Sequence, residues 1–318
     1  MKKTAFLFPG QGSQKIGMGK SLYDNDTEAK LFLNKVNETL KQNLTRFMFE
    51  GPEDALMLTK YAQPALFASS LGVIKVIESL SKKNISNFVD YVSGHSLGEY
   101  SAISCANSVN EFDAVYLLKI RAEAMQKAVP LGKGGMAAIL GSNLDKVYEL
   151  IKIASKSGLL EIANDNSDSQ IVISGQINAI DHAISIAKNI GIKKIIKLNV
   201  SAPFHCKLMN PAKEIMSKAL EKIRFEKAKI KIVCNYTANF EINPENIKKN
   251  LVSQISNMVR WRETINLLYK NEVRNFIEIG TGKVLSSLVK RTFKDVSVSN
   301  IETYDDVLLY LDERGKYV

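Results

Sequence analysis

Residues 92–99 read VSGHSLGE, directly after the apolar run FVDYV at 88–92. Ser96 has a glycine two places away on each side, Gly94 and Gly98. A very tight strand-to-helix turn needs such small neighbours, and it holds the serine hydroxyl out as a nucleophile. Ordinary turns also match so short a pattern, so the surrounding chain has to decide. Upstream, residues 4–8 (TAFLF) read as a buried strand and 9–19 as a glycine-rich loop. Helical periodicity covers 28–40 and 63–80, the second apolar enough to lie against a sheet. Residues 88–92 predict a strand leading into the turn. Residues 110–129 predict a helix, with Asn110 and Asp113 in the form of an N-terminal cap.

Pro130, Gly132, Gly134 and Gly135 then mark a break. Beyond it come a strand (136–140), a helix (144–154), strands at 159–163 and 170–174 separated by the polar run NDNSDS, a helix (177–189) and a strand (194–200). That order, β-α-β-β-α-β, is the ferredoxin-like unit. Strands and helices resume afterwards: helix 213–222, strand 230–234, helices 244–255 and 261–269, and strand 275–279. The expectation is a large α/β domain made of 1–131 and 201–318, interrupted by a ferredoxin-like α+β subdomain at 132–200. The alternation in the large part predicts a mostly parallel sheet with helices on both faces.

Composition narrows the function. The 318 residues are 45% hydrophobic and 24% charged, ordinary values for a globular protein. No run of eighteen apolar residues predicts a membrane span. The N-terminal MKKTAFLF is cut short by PGQG and reads as a strand rather than a leader. Three scattered cysteines and three histidines suggest neither a disulfide scaffold nor a zinc site, and fit a reducing cytoplasm. The net charge of +10 suits an acidic partner or a phosphorylated substrate. No basic block with interleaved aromatics and no nucleic-acid-binding spacing appears, so nucleic acid is not expected. GMGKS (17–21) and GTGK (280–283) are incomplete phosphate-binding loops: Gln14 and Val284 stand where glycine and Ser/Thr are required. Their glycines are expected to let two loops approach a shared pocket.

A serine nucleophile needs a base and donors for the oxyanion. His95 adjoins Ser96 and is expected to point away from its hydroxyl. His182 lies in a helix of the insertion and reads as a surface or cap residue. His205, in SAPFHC, sits where the chain re-enters the large domain, beside an expected interdomain cleft. It is the candidate base by elimination, with a packed structural histidine as the alternative. The pattern around Arg121 alone favours a surface helix residue.

At eight ordered places the chain resembles the malonyl-CoA:acyl-carrier-protein transacylase family of bacterial type II fatty acid synthesis. They are LFPGQGSQ (7–14), GHSLGEYSA (94–102), RAEAMQ (121–126), GGMAAIL (134–140), NSDSQIVISG (166–175), SAPFHC (201–206), VRW (259–261) and EIGTGKVL (278–285). The resemblance implies an α/β-hydrolase-like core with the inserted subdomain. It implies Ser96 as nucleophile and His205 as base, with the backbone N–H groups of Gln11 and Leu97 as oxyanion hole. It further implies Arg121 as the clamp on the malonyl carboxylate and the Gln254 carbonyl as the group orienting the histidine. Asn166, Phe204, Met125 and His95 are the further pocket residues expected, Phe204 leaving little room for an α-methyl branch. The implied substrate is malonyl-CoA and the product coenzyme A, with no tightly bound cofactor and no metal. The implied partner is an acidic, phosphopantetheinylated acyl carrier protein, and a cytoplasmic monomer is expected. Met258, Ala122 and Cys206 depart from the commoner proline, glycine and serine, without removing a group the chemistry requires.

Overall fold

In the computed structural model, which describes residues 2–315, the strands at the centre are buried along their length without alternation. Strand β1 (Lys3–Phe8) is buried from Thr4 onward, and β2 (Tyr91–Gly94) is buried throughout. Continuous burial of this kind marks a parallel sheet covered on both faces. Four further strands belong to the same sheet: β7 (Lys231–Val233), β8 (Phe240–Glu241), β9 (Val273–Ile279) and β10 (Ser297–Ile301). Their order is β10-β9-β1-β2-β7-β8, parallel throughout except for the short antiparallel edge strand β8. The fold is thus a mixed α/β fold with a mostly parallel main sheet.

Residues 134–197 form a second sheet from β3 (Gly134–Leu140), β4 (Leu160–Ser167), β5 (Gln170–Gln176) and β6 (Lys194–Lys197). Its order is β4-β5-β3-β6, every pair antiparallel. Helices Leu144–Ala154 and Ile177–Ile186 pack on it around a separate apolar core that includes Ile139, Leu150, Ile173 and Ile180. The second sheet is tied to the segment that leads into the helix Trp261–Lys270. Asn164 forms a parallel bridge with Val259, and Val259 donates to the Ala163 carbonyl (2.8 Å) while accepting from Asp165 N–H (3.0 Å). Arg262 then reaches across to Asp165 (2.9 Å) and Asp168 (2.8 Å).

Several expected boundaries move. The strand expected at 88–92 begins at Tyr91, because Ile85–Asn87 form a 3-10 turn and Phe88 and Val89 fill the core from outside the ladder. NDNSDS is largely strand: 164–167 extend β4, and only Asp168 and Ser169 turn. The strand expected at 194–200 ends at Lys197, and the helix expected at 177–189 ends at Ile186, its last turn tightening to 3-10. The helix at 110–129 spans Glu111–Lys127, and its Asn110 cap accepts from Phe112 N–H (2.9 Å). Helix Thr59–Ser81 starts before the expected Gln63. It alone among the described residues is long and apolar enough to cross a membrane, and 78% of that stretch is buried in the fold. The loop carrying Gly280 and Gly282 packs on Ser70 and Ser13 rather than lining the cavity described below.

Candidate active site

Parallel strands deliver their following loops to one edge of the sheet, and a ligand crevice forms there. Phe8 pairs with Gly94 at the ends of β1 and β2, so the loop from Pro9 and the turn from His95 emerge side by side. His95 N–H donates to the Phe8 carbonyl (3.0 Å). The turn leaves no space for side chains at its two glycines. A Cβ on Gly94 would stand 1.9 Å from the Gly98 carbonyl oxygen, and one on Gly98 would stand 2.3 Å from the Phe8 oxygen. Ser96, at the apex, adopts φ 53°, a left-handed conformation uncommon for a residue with a side chain. It is held there by Asn235, whose Oδ1 accepts from Ser96 N–H (2.7 Å) and whose Nδ2 donates to the Gly94 carbonyl (2.8 Å). The helix Gly98–Cys105 begins immediately after.

Ser96 Oγ lies 2.7 Å from His205 Nε2. The other ring nitrogen, Nδ1, is 2.8 Å from the backbone oxygen of Gln254. A carbonyl only accepts, so Nδ1 carries the proton and Nε2 offers its lone pair to the serine. His205 is 4% exposed, and burial together with the nearby Arg121 charge pushes its pKa down to about 3. The imidazole is therefore neutral at ordinary pH.

Arg121 comes from the helix Glu111–Lys127 and is 1% exposed. The pattern-based placement on the surface is corrected: the helix face that carries Arg121 and Met125 faces a cavity instead of solvent. Nη1 donates to Gln63 Oε1 (2.7 Å), and Nη2 donates to Gln254 Oε1 (2.9 Å) and to Ser96 Oγ (3.0 Å). Nε has no partner among the described residues. Burial lowers the pKa of the guanidinium.

The cavity has a volume of about 380 Å³ and is lined by Gln11, His95, Ser96, Leu97, Arg121, Met125, Phe204 and His205 among others. Among the described residues, the backbone N–H groups of Gln11 and Leu97 meet no protein acceptor. The Gln11 side chain is tied to Thr59 Oγ1 (3.2 Å). Asn166 does not line the cavity; its Oδ1 bonds His95 Nε2 (2.8 Å), and Asn164 lines the wall in its place. His95, edge-on to Trp261, bonds Asn166 through its ring. His182 lies apart, bonded to Ser157. Cys206 is fully buried, and burial pushes its thiol up to about 11. Met258 packs against the core of the second sheet, and Ala122 is buried.

Sequence reasoning missed Gln63, Asn235, Glu99 and the side chain of Gln254. The available signal was the lone Gln63 in an apolar stretch, YAQPALFASS. A buried amide in such a setting requires a polar partner.

An α/β sheet with a serine at a strand-to-helix elbow, hydrogen-bonded to a neutral histidine, is the architecture of enzymes that work through an acyl-serine. The chain belongs to the acyl transferase domain family, whose model matches residues 5–310. It is 42% identical to the malonyl CoA-acyl carrier protein transacylase of Bacillus subtilis, over 99% of both chains. Its structure is similar to that of an acyl-carrier-protein S-malonyltransferase from Bartonella henselae, with a TM-score of 0.95, 43% identity, and 98% and 99% of the two chains covered. It is also similar to a malonyl-transacylase in complex with its type II polyketide synthase acyl-carrier protein, with a TM-score of 0.93, 33% identity, and 98% and 99% covered.

Proposed function

We propose that this chain transfers the malonyl group from malonyl-CoA to the phosphopantetheine thiol of an acyl carrier protein, through a malonyl ester on Ser96. The observation that carries this reading is the buried guanidinium of Arg121, 3.0 Å from Ser96 Oγ inside the cavity. A plain hydrolase has no use for a desolvated cation facing its nucleophile, whereas an acyl group ending in a carboxylate needs one.

Ser96 gives its proton to His205 Nε2 as Oγ attacks the thioester carbonyl. The new C–O bond places negative charge on the carbonyl oxygen, opposite the N–H groups of Gln11 and Leu97. The tetrahedral intermediate collapses, the C–S bond breaks, and the coenzyme A sulfur takes the proton from His205. The malonyl ester remains, its carboxylate on Arg121. The carrier thiol then enters, loses its proton to His205 and takes the acyl group by the reverse path. The Gln254 carbonyl keeps the imidazole in the correct tautomer throughout, the role an acid plays in a Ser-His-Asp triad. Met125 and Phe204 wall the acyl site, and His95, fixed by Asn166, borders it. Neither a metal nor a bound cofactor is required.

In this reading residues 1–131 and 201–318 form an α/β-hydrolase-like core and residues 132–200 a ferredoxin-like insertion. The antiparallel order β4-β5-β3-β6 supports the second assignment. The enzyme works as a monomer in the cytoplasm, and its net charge of +10 favours the phosphates of coenzyme A and an acidic carrier. Mass spectrometry of the protein mixed with malonyl-CoA alone tests the reading. A malonyl adduct on the peptide containing Ser96, absent in Ser96→Ala, is expected. An adduct mapped to Cys206 or Cys105 and persisting in Ser96→Ala overturns it.

A further inference from the structure

Glu99, in the first turn of the helix after the elbow, is fully buried, although nothing in the acyl-transfer steps uses it. One of its oxygens, Oε2, accepts from two donors: Gln254 Nε2 (2.7 Å) and the backbone N–H of Asn235 (3.1 Å). Its other oxygen, Oε1, is buried and meets no nitrogen or oxygen donor among the described residues, the buried Cys234 thiol being the one further group that hydrogen-bonds the carboxyl. A carboxyl buried with no cation in contact and only a weak thiol donor to spare is costly, so its presence asks for a function.

Both donors lead to the reacting atoms. Asn235 holds the Ser96 N–H and the Gly94 carbonyl. Gln254 donates a second time, from Nε2 to the Ser96 carbonyl (2.9 Å), and accepts from Arg121 at Oε1 (2.9 Å). A side-chain amide can sit either way round, and only its partners choose. Glu99 and the Ser96 carbonyl are both acceptors, so the NH2 end turns to them and the oxygen is left for the guanidinium. With the amide reversed, Gln254 would present N–H to N–H at Arg121 and oxygen to oxygen at Glu99.

We propose that Glu99 is a positioning residue for acyl transfer: its Oε2 fixes the orientation of the Gln254 amide, which holds Arg121 over Ser96. The role needs an acceptor at Oε2 and works in either protonation state of the carboxyl. Burial pushes its pKa up to about 7, and the proton, when present, goes on Oε1, which neither Gln254 nor Asn235 uses. Because Arg121 discriminates acyl groups by their carboxylate, Glu99 acts on selectivity from outside the cavity lining. This inference rests on the proposed role of Arg121.

The test compares specificity constants for malonyl-CoA and acetyl-CoA in Glu99→Ala, Glu99→Leu, Glu99→Gln and Gln254→Ala, with Arg121→Ala as reference. Loss of the acceptor, or of Gln254, is expected to lower the malonyl-to-acetyl ratio about tenfold, the scale of one hydrogen bond to a charged group. Glu99→Gln keeps an acceptor oxygen and is expected to hold the ratio within about threefold of the parent. A merely structural Glu99 would lower both specificity constants by the same factor in Glu99→Ala or Glu99→Leu, and that result overturns the proposal. If neither variant folds, an unchanged ratio in Gln254→Ala overturns it alone. An unchanged ratio in Arg121→Ala instead removes the malonyl assignment beneath it, so the two failures are distinguishable.

Discussion

Replacing Arg121 by alanine separates what the guanidinium does for the fold from what it does for the substrate. Three of its hydrogen bonds disappear, those to Gln63, Gln254 and Ser96. Two amide oxygens are left facing the cavity, and Ser96 loses a donor. Those losses weigh on every acyl group alike. Only malonyl brings a carboxylate, so the ratio of the malonyl-CoA to the acetyl-CoA specificity constant isolates the pairing with Arg121. The side chain is 1% exposed, so the orphaned carboxylate would have little water to fall back on. Removing one partner of a buried charge pair costs about 2–5 kcal/mol. At about 1.4 kcal/mol per factor of ten, the ratio should fall roughly thirty- to several-thousand-fold. Arg121→Lys keeps the charge without the planar fork and should fall between parent and alanine. Single-turnover acylation with each thioester is the assay. An unchanged ratio in Arg121→Ala would show that the guanidinium does not bind the malonyl carboxylate.

His205→Ala should slow acylation by roughly 10²- to 10⁴-fold with the fold intact, and stopped-flow acylation at the parent rate would send the search for a base elsewhere. Because the folded pKa of His205 is about 3 against an ordinary 6.5, acylation should hold steady from pH 7 to 5, and a half-point near 6.5 would contradict this. The same depression makes the stability contribution of this group complete above pH 6.5 and lost as pH falls toward 3, because the unfolded chain takes the proton first. Gly98→Ala places a methyl 2.3 Å from the Phe8 oxygen, so acylation and melting temperature should both drop, and parent-like values would show that the turn has slack.

The layered α/β plan was legible because buried parallel strands such as TAFLF carry an uninterrupted apolar signal. The elbow was legible because backbone contact at Gly94 and Gly98 tolerates only glycine. Other features lay beyond sequence patterns for physical reasons. Asn164 to Ser167 are polar yet buried, since that end of β4 faces the cavity and the seam with Val259 rather than apolar packing. Helical periodicity separates apolar from polar faces but cannot tell a polar face that lines an enclosed cavity from one that meets solvent, so Arg121 read as a surface residue. Gln63, Asn235 and Glu99 act through contacts 58, 139 and 136 positions away in the chain, which no local window contains.

The seam between the second sheet and residues 259–262 has a bearing on how such an enzyme can be rebuilt. Covalently, the smaller sheet leaves and rejoins the chain near residues 133 and 198, and by connectivity alone it looks like a removable cassette. The bridge from Asn164 to Val259 and the reach of Arg262 to Asp165 and Asp168 add a third attachment, far along the chain from the other two. Two chain ends and a non-covalent clasp fix a body that two ends alone would leave free to pivot. The cavity wall carried by Asn164 therefore has its distance from Ser96 set by residues belonging to the other half of the molecule. A chimera that imports residues 132–200 from a relative to alter acyl selectivity has to import the matching stretch 259–262 as well. Otherwise the new wall keeps only weaker ties, such as Asn166 to His95 and Glu161 to Lys207, to tell it where to stand.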